Sequence, residues 1–593
     1  MSRHSLVPLV VAALTTICFI PALSGSFLNW DDNVNFLDNP AYRGFGPEQL
    51  HWAFTSVLFG HYIPLTRLSW SLNYVIGGMD PWGYHLLNLL LHTANTLLFY
   101  VVARRLLAAA TGEGSQDGLG KPELSAAAAG AALVFGVHPL RVEAVVWISA
   151  RPDLLCAMFV LLATWAYLRA VEDSGPARRG PLLVSVAALA AALLSKGVAL
   201  PLVAGLLLLD IYPLRRLARL GWGALLREKI PHLLVTVVGA GIIVHAVRLG
   251  AVLTGAADYG AVARLTVAAY SAVATLVRFV WPAALSPLYE MPARVSLIEP
   301  RFALAMGSTV LITALLIAWR RRWPAGLAAW TFSALMLAPT SAAVRRGVDL
   351  APDRYSYLAG LGYALLVGGA VLAGTRLVRG GALSRRVARA ATVAGVAAIL
   401  GLGATSWTLS QIWGESETLW RWAIELDPTC STCHGKLGES LLTGRGSASR
   451  AVEAEGLFRR AIALRPDLPE AHFNLGTALS LQGRYADAET PLRDYMERVP
   501  QAASGPERLG LVYLLESRYE TAIPLLRSAL IRKPDAPGLR GYLVQALQGR
   551  ARELETQGRS ADAEPLLAES RALGGDDGAA PATRQEPGRV RRP

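Results

Sequence analysis

Three adjacent residues early in the chain, Trp30-Asp31-Asp32, carry the residue types that general acid–base chemistry needs. Two neighbouring carboxylates do not easily face one partner together, but one can take a proton while the other orients it or holds a cation. Further on, ionisable side chains interrupt or border apolar runs: His85, His138, Glu143, Arg151, Asp153, Lys196, Asp210 and Arg354, the last set among Asp353, Tyr355 and Tyr357. An ionisable group at bilayer depth is costly, so it pairs with another group or faces a wet cavity. Lys196 separates two short apolar runs, 182–194 and 198–210. A hairpin tip there would put an ammonium where a phosphate could sit. Each feature also has a structural reading: an acidic turn like the nearby Asp38-Asn39-Pro40, a snorkelling lysine, a helix-start ion pair between Arg151 and Asp153, and an interfacial aromatic belt around Arg354.

The scaffold that must position these residues follows from composition. Of 593 residues, 53% are hydrophobic and 17% charged, against about 25% charged in soluble domains, and the mean hydropathy is +0.36. That excludes a disordered chain and an ordinary cytosolic enzyme, and points to a polytopic, all-α membrane protein. Apolar runs fall at about 5–23, 83–103, 125–140, 154–170, 181–195, 198–212, 231–248, 302–319, 324–341, 354–376 and 390–409, with a twelfth, ambiguous stretch at 264–283. The net charge of +13 is carried by 52 arginines and only five lysines, many of them between runs. We read this bias as topology, not as nucleic-acid binding. Arg104 and Arg105, Arg169 with Arg178 and Arg179, the cluster 215–229, Arg320 to Arg322, and the arginines of 376–389 mark the cytoplasmic side. The link 24–82, with Asp31, Asp32, Asp38, Glu48 and Asp80 against Arg43 and Arg67, belongs outside. Alternation then predicts eleven crossings, with 264–300 re-entrant or lying at the outer face, and the last span runs outward. Under this topology the acidic pair, Arg151, Asp153, Lys196 and Arg354 all open to one side.

After about residue 412 the apolar runs stop. Pro466, Pro500 and Pro534 stand 34 residues apart, as do Ala454, Ala488 and Ala522, Phe458, Leu492 and Leu526, and Gly476 and Gly510. A 34-residue period with small residues at one helix crossing and proline closing the second helix is the tetratricopeptide pattern. Such units stack into a superhelix with a concave groove, whose default use is protein or peptide binding. The unit at 429–467 carries about four extra residues near 444–449, and a last unit, off-step by seven, caps the array. The domains are therefore 1–412 in the membrane, 413–575 as the repeat array, and 576–593 as a Pro-, Gly- and Arg-rich disordered tail. Two features imitate other functions. Cys430-Ser431-Thr432-Cys433-His434 has the spacing of c-type haem attachment, but it falls at the start of a repeat helix, where a disulfide or a free thiol pair is the expectation. The glycines of 360–374 lack a P-loop lysine. The N-terminal segment imitates a signal peptide and is read as a retained span.

The ordered series Trp30-Asp31-Asp32, Pro64-Leu65-Thr66, the run from Pro81-Trp82-Gly83-Tyr84-His85 to Asn88, His138-Pro139 with Glu143, Arg151-Pro152-Asp153, Ser195-Lys196, Trp281-Pro282, and Asp353-Arg354-Tyr355 resembles the transmembrane and tetratricopeptide-repeat O-mannosyltransferases and their bacterial relatives. These belong to the multispanning glycosyltransferases that use polyprenyl-phosphate sugars. The resemblance implies transfer of a mannose-like hexose, with inversion, from a polyprenyl phosphate in the bilayer to an acceptor hydroxyl on the outer or lumenal side. Asp31 and Asp32 would be catalytic, with Asp32 preferred as the base, and Lys196, Arg151 and Arg354 would bind the donor phosphate. His85, His138, Glu143, Asp153 and Tyr355 would shape the site. No resident cofactor or metal is assigned, although a divalent cation is compatible with the acidic pair. Where the family pattern has glutamate after the lysine this chain has Gly197, and Pro152 replaces a smaller residue. The arginine bias favours a bacterial inner membrane with periplasmic repeats over an endoplasmic reticulum membrane with lumenal ones. The competing function is a non-catalytic membrane scaffold for envelope assembly.

Overall fold

The computed structural model describes residues 3–111, 121–172, 176–254, 260–292, 294–340, 348–443, 447–536 and 538–574. The tail expected at 576–593 lies outside the described residues. The protein is all-α: apart from two isolated bridges, Leu58 with His61 and Glu290 with Asp349, every regular element among the described residues is helical. The chain forms two compact units, Met1–Leu419 and Trp420–Pro593.

In the first unit eight helices are long and apolar enough to cross a membrane, or nine if the bent pair Lys121–Gly136 and Pro139–Val146 is one span. The count differs from the eleven read from sequence for a physical reason. Arg179–Ser195, Gly197–Ile211 and Pro324–Leu337 are apolar but only 10–17 residues long, whereas a core of about 30 Å takes about 20 residues at 1.5 Å each. Conversely, Ala261–Val280, expected to lie re-entrant or at the outer face, is long enough to cross. Its two ends pack on neighbouring segments, Val267 with Phe302, Met291 and Leu350, and Arg278 with Asp353.

Ion pairs sort the helix ends into two sets. At one end Arg105, Arg169 and Arg178 gather around Glu172 at 3.2, 3.6 and 3.9 Å, and Arg379 pairs with Glu123. These arginines are among those the charge bias assigns to the cytoplasm. Arg151, Lys196 and Arg354 lie at the opposite ends of the helices Arg151–Ala170, Arg179–Ser195 and Ser356–Arg379. Lys196 stands at a hairpin tip: its Nζ lies 2.5 Å from Asp153, and the chain returns through Leu202–Ile211 until the fully buried Asp210 accepts from Tyr167 Oη at 2.6 Å. Lys229 (2.6 Å) and Arg216 (3.0 Å) neutralise Asp210, and Glu228 balances Arg216 at 2.9 Å. Two cations and two carboxylates close on one another, which is how an apolar bundle tolerates charge.

The first link folds into a cap. Pro21 ends the opening helix Arg3–Phe19 in a 3₁₀ turn, a π-type turn follows at Asn33–Leu37, and the helices Pro47–Thr55 and Pro64–Gly77 complete the segment. Its core is aromatic. Phe36, fully buried, meets Trp70, Tyr42 and Tyr84 edge-on, with ring centroids 5.0, 5.7 and 5.4 Å away, a geometry that adds about 0.5–1.5 kcal/mol per pair beyond burial.

The second unit is built from the helix pairs Ser431–Thr443 with Ser447–Leu464, Pro469–Leu481 with Tyr485–Arg498, Ser504–Leu515 with Tyr519–Arg532, and Leu539–Thr556 with Ser560–Gly574. The 34-residue step is a packing rule. Ala454, Ala488 and Ala522 are fully buried, and a methyl added at Gly476 would lie 2.5 Å from Leu492, at Gly510 2.9 Å from Leu526. The longer first repeat uses the same device, since a methyl at Gly438 would meet Phe458 at 2.7 Å. Cys430 and Cys433 are joined as a disulfide, and His434 Nε2 lies 3.1 Å from the Pro428 carbonyl, as His472 Nε2 lies 2.9 Å from that of Pro466. His434 thus has a repeat-packing role. Replacing Gly510 with Val is expected to destabilise the repeat unit by about 1–3 kcal/mol through overpacking. Gly541, with open space around its Cβ position, should accept Ala without loss, a contrast readable in thermal melting of the full chain.

Candidate active site

The acidic loop is fastened at both ends before chemistry is considered. Ser26 N and Oγ donate to the Gly414 carbonyl at 2.9 and 3.1 Å, and Asn29 N donates to Ser416 Oγ at 3.0 Å. At Gly25 a methyl would lie 2.9 Å from His85 Nε2, so the glycine admits the buried His85 ring beneath the loop. Asp32 is fully buried. Its Oδ2 accepts from Leu28 N at 2.9 Å, and its Oδ1 accepts from Ser149 N at 3.2 Å and Ser149 Oγ at 2.5 Å. Asn35 Nδ2 in turn donates to Ser149 Oγ at 2.9 Å. Burial pushes the Asp32 carboxyl up to about 7 against the opposing hydrogen bonds from Leu28 and Ser149, and the Asp31 charge adds to the rise. Asp31 is half-buried. The expected base, Asp32, is thus carried inward by aromatic packing of the cap, and Asp31 is the carboxylate with the greater solvent access.

The expected cations converge beside this loop, each with a carboxylate. Lys196 pairs with Asp153 at 2.5 Å. Arg354 pairs through Nη1 with Glu143, donates its backbone N–H to the same carboxylate at 2.8 Å, and lies 3.6 Å from Asp349. Tyr355 stands between the two cations, with its ring centroid 5.6 Å from Lys196 Nζ and 5.0 Å from the Arg354 guanidinium carbon. Trp147 joins this group to the acidic loop: Arg354 lies 5.2 Å over its ring, and the rings of Trp30 and Trp413 are 6.4 and 6.5 Å away. Glu143, Asp153, Lys196, Arg354 and Tyr355 are thus in direct contact, and Asp31 and Asp32 adjoin them through Trp30 and Trp147.

Two of the expected residues are engaged elsewhere in the structure. Arg151 was expected on the donor phosphate, yet it is fully buried and its guanidinium is spent on Asn88 Oδ1 (2.8 Å), Asn73 Oδ1 (2.5 Å) and the carbonyls of Ser69 (3.2 Å) and Tyr84 (2.9 Å). It holds the cap onto the helix Pro81–Thr111. His138 is likewise committed, stacked on Phe279 at 4.9 Å with Nε2 2.9 Å from the Phe279 carbonyl and Nδ1 accepting from Leu140 N. Pro152 sits in the first helical turn, where its missing N–H costs nothing. At Gly197 a methyl would lie 2.9 Å from Ile243 Cδ1, so any side chain there needs the end of Ile243 to move aside.

The sequence reading missed Ser149, Trp147 and a flanking ion group: Arg278 binds Asp353 at 3.1 Å and lies 3.4 Å over the Tyr289 ring. Arg278 had a signal, an ionisable residue in an apolar run. Ser149 had none. Among the described residues no group of three or more His, Cys, Asp or Glu side chains converges as a metal cage.

Residues 457–490 match the family model described as tetratricopeptide repeat. The chain is similar to Protein O-mannosyl-transferase Tmtc3 of Drosophila melanogaster, 40% identical over 124 residues that make up 20% of this chain and 13% of that protein. It is also similar to Protein O-mannosyl-transferase TMTC4 of Mus musculus, 33% identical over 178 residues, 28% of this chain and 23% of that one. The chain therefore spans less than a quarter of the length of these curated relatives. Among solved structures, MamA 41-end from Desulfovibrio magneticus RS-1 aligns at 16% identity and a TM-score of 0.22 over 27% of this chain and 84% of that one, a superposition too weak to bear on fold or function.

Removing Lys196 alone leaves Asp153 buried and unpaired. Lys196→Ala should lower stability by about 3–5 kcal/mol, and adding Asp153→Ala should recover much of that loss in a double-mutant cycle. For Asp32 the pKa is raised on folding, so its contribution is present in full below about pH 4 and is lost as pH rises to about 7. The thermal midpoint of the wild type, measured against Asp32→Asn in detergent, should fall across that window.

Proposed function

We propose that this chain is an integral membrane glycosyltransferase that moves a hexose, mannose by resemblance, from a polyprenyl phosphate to an acceptor hydroxyl on the outer side of the membrane. The observation that carries the reading is the junction at Trp147, which joins a carboxylate with solvent access to two cations, Lys196 and Arg354. Glycosyl transfer needs a base where the nucleophile enters and positive charge where the phosphate leaves.

In this mechanism the acceptor oxygen attacks the anomeric carbon as its proton passes to the Asp31 carboxylate. The new glycosidic C–O bond forms while the bond from the anomeric carbon to the phosphate oxygen breaks. The polyprenyl phosphate departs with the electron pair, and Lys196 and Arg354 offset its charge. Both cations are held in place by carboxylates that the arriving phosphate must partly displace, Asp153 and Glu143. Inversion follows from a single displacement. The names of the relatives support a protein hydroxyl as acceptor, and the repeat array supplies a groove for a protein or peptide partner. The arginine-marked helix ends support an orientation with the site on the outer or periplasmic side.

Membranes containing the wild-type chain should incorporate labelled mannose from undecaprenyl-phosphate mannose into protein. Asp31→Asn should reduce kcat by about 10²-fold or more without a comparable loss of thermal stability, whereas full transfer by the Asp31→Asn/Asp32→Asn variant would defeat the proposal. The Lys196→Ala/Asp153→Ala pair should stay inactive even where its stability recovers.

A further inference from the structure

Resting on that reading, we propose that Ser149, oriented by Asn35, is the positioning residue of the acidic pair: it pins the Asp32 carboxylate and so fixes where the adjacent Asp31 carboxylate points. Ser149 precedes the helix Arg151–Ala170 by two residues, in a 3₁₀ turn at Ile148–Ala150 that is itself buried at Ile148 and Ala150. From this rigid base it delivers two donors, N–H and Oγ–H, to one oxygen of Asp32 at 3.2 and 2.5 Å. A serine hydroxyl can donate or accept, and its rotor is free unless a neighbour decides. Asn35 decides. Its Nδ2 donates into Ser149 Oγ at 2.9 Å, which leaves the hydroxyl proton to point at Asp32.

Asn35 also lies in the turn that follows the acidic pair, and Asn35 N donates to the Asp31 carbonyl at 2.9 Å. The side chain of Asn35 thus reaches Ser149 while its backbone holds Asp31. Loop, carboxylate and helix start close into one hydrogen-bonded ring. The ring connects the base to the helix that carries Asp153, and through Asp153 to Lys196. Distance between base and leaving-group cation is therefore set through Ser149, which touches neither substrate nor reacting atoms in the mechanism above.

The ionic surroundings of Asp32 sharpen the role. Asp31 on its own loop disfavours its ionisation, and the buried Arg151 guanidinium on the adjoining helix is the nearby cation. Hydrogen bonds from Leu28 and Ser149 favour the anion. Loss of the serine hydroxyl should both loosen the loop and move ionisation of the pair to higher pH.

The test is mannose incorporation from undecaprenyl-phosphate mannose into membrane protein, measured from about pH 5 to about pH 9, roughly two units either side of the Asp32 carboxyl near 7, for Ser149→Ala, Ser149→Thr and Asn35→Ala, beside Asp31→Asn/Asp32→Asn. Ser149→Ala should lower kcat about tenfold, leave KM for the lipid donor nearly unchanged, and displace the acid limb upward by about one pH unit. Ser149→Thr, which keeps the hydroxyl, should restore most of the rate, and Asn35→Ala should reproduce the kcat loss in milder form. If the aspartate double variant is inactive while Ser149→Ala and Asn35→Ala keep wild-type kcat and pH limb, the positioning role is overturned and the enzyme reading stands. If the aspartate double variant transfers at the wild-type rate, the enzyme reading itself falls. Should Ser149→Ala not accumulate, Asn35→Ala and Ser149→Thr decide: an unmoved limb in the first, or no rescue in the second, overturns the role.

Discussion

Taking a charge out of water into an apolar bundle is unfavourable unless a partner meets it there, and this constraint organises the membrane unit. The Lys196–Asp153 contact answers it most directly. It pins the tip of a hairpin of two short apolar arms, and so fixes which end of the bundle the lysine reaches. Asp210 imposes the same demand at the other end of that hairpin, where Tyr167, Lys229 and Arg216 converge on it. One hairpin is thus held by an ion pair at its tip and a closed charge network at its base. The two contacts divide the labour: the base is sealed among its own partners, whereas the tip lies beside Tyr355 and the Arg354–Glu143 pair.

The acidic loop is positioned differently. Among the described residues no cation pairs directly with Asp32. Its order comes from aromatic packing around Phe36 and from backbone hydrogen bonds to the segment after the last apolar helix. The desolvation that makes Asp32 hard to ionise is the price of using that carboxylate as an anchor, and it leaves the neighbouring Asp31 as the member with access to solvent. A pair of identical side chains is in this way given two environments, which is how one residue type can fill two roles in one site.

Some of this was legible in the chain and some was not. The repeat array could be read because its small residues recur at 34-residue steps, with the alanines buried and Gly476 and Gly510 against Leu492 and Leu526. Lys196, Asp153, Glu143 and Arg354 could be singled out because ionisable groups at the edges of apolar runs are conspicuous. Their pairing could not, since Glu143 and Arg354 are 211 positions apart. Which of Asp31 and Asp32 is enclosed was not legible, because burial of a loop residue depends on tertiary packing, in this case the aromatic cap. The surroundings of Arg151 were hidden for a related reason: a guanidinium at a helix start looks the same whether it faces solvent or is enclosed by Asn73, Asn88 and two carbonyls. The lengths of the apolar helices were less legible than their existence, because apolarity marks a helix for the bilayer without saying how far it reaches.

Gly197 carries an implication for how this site could diverge. The space in which a side chain would grow at that position is filled by Ile243 from the long helix Arg216–Thr254. A side chain at position 197 needs the Cδ1 end of Ile243 to swing aside, and trimming residue 243 would open a void there. Positions 197 and 243 are thereby sterically coupled, and a change of size at one is felt at the other beside Lys196.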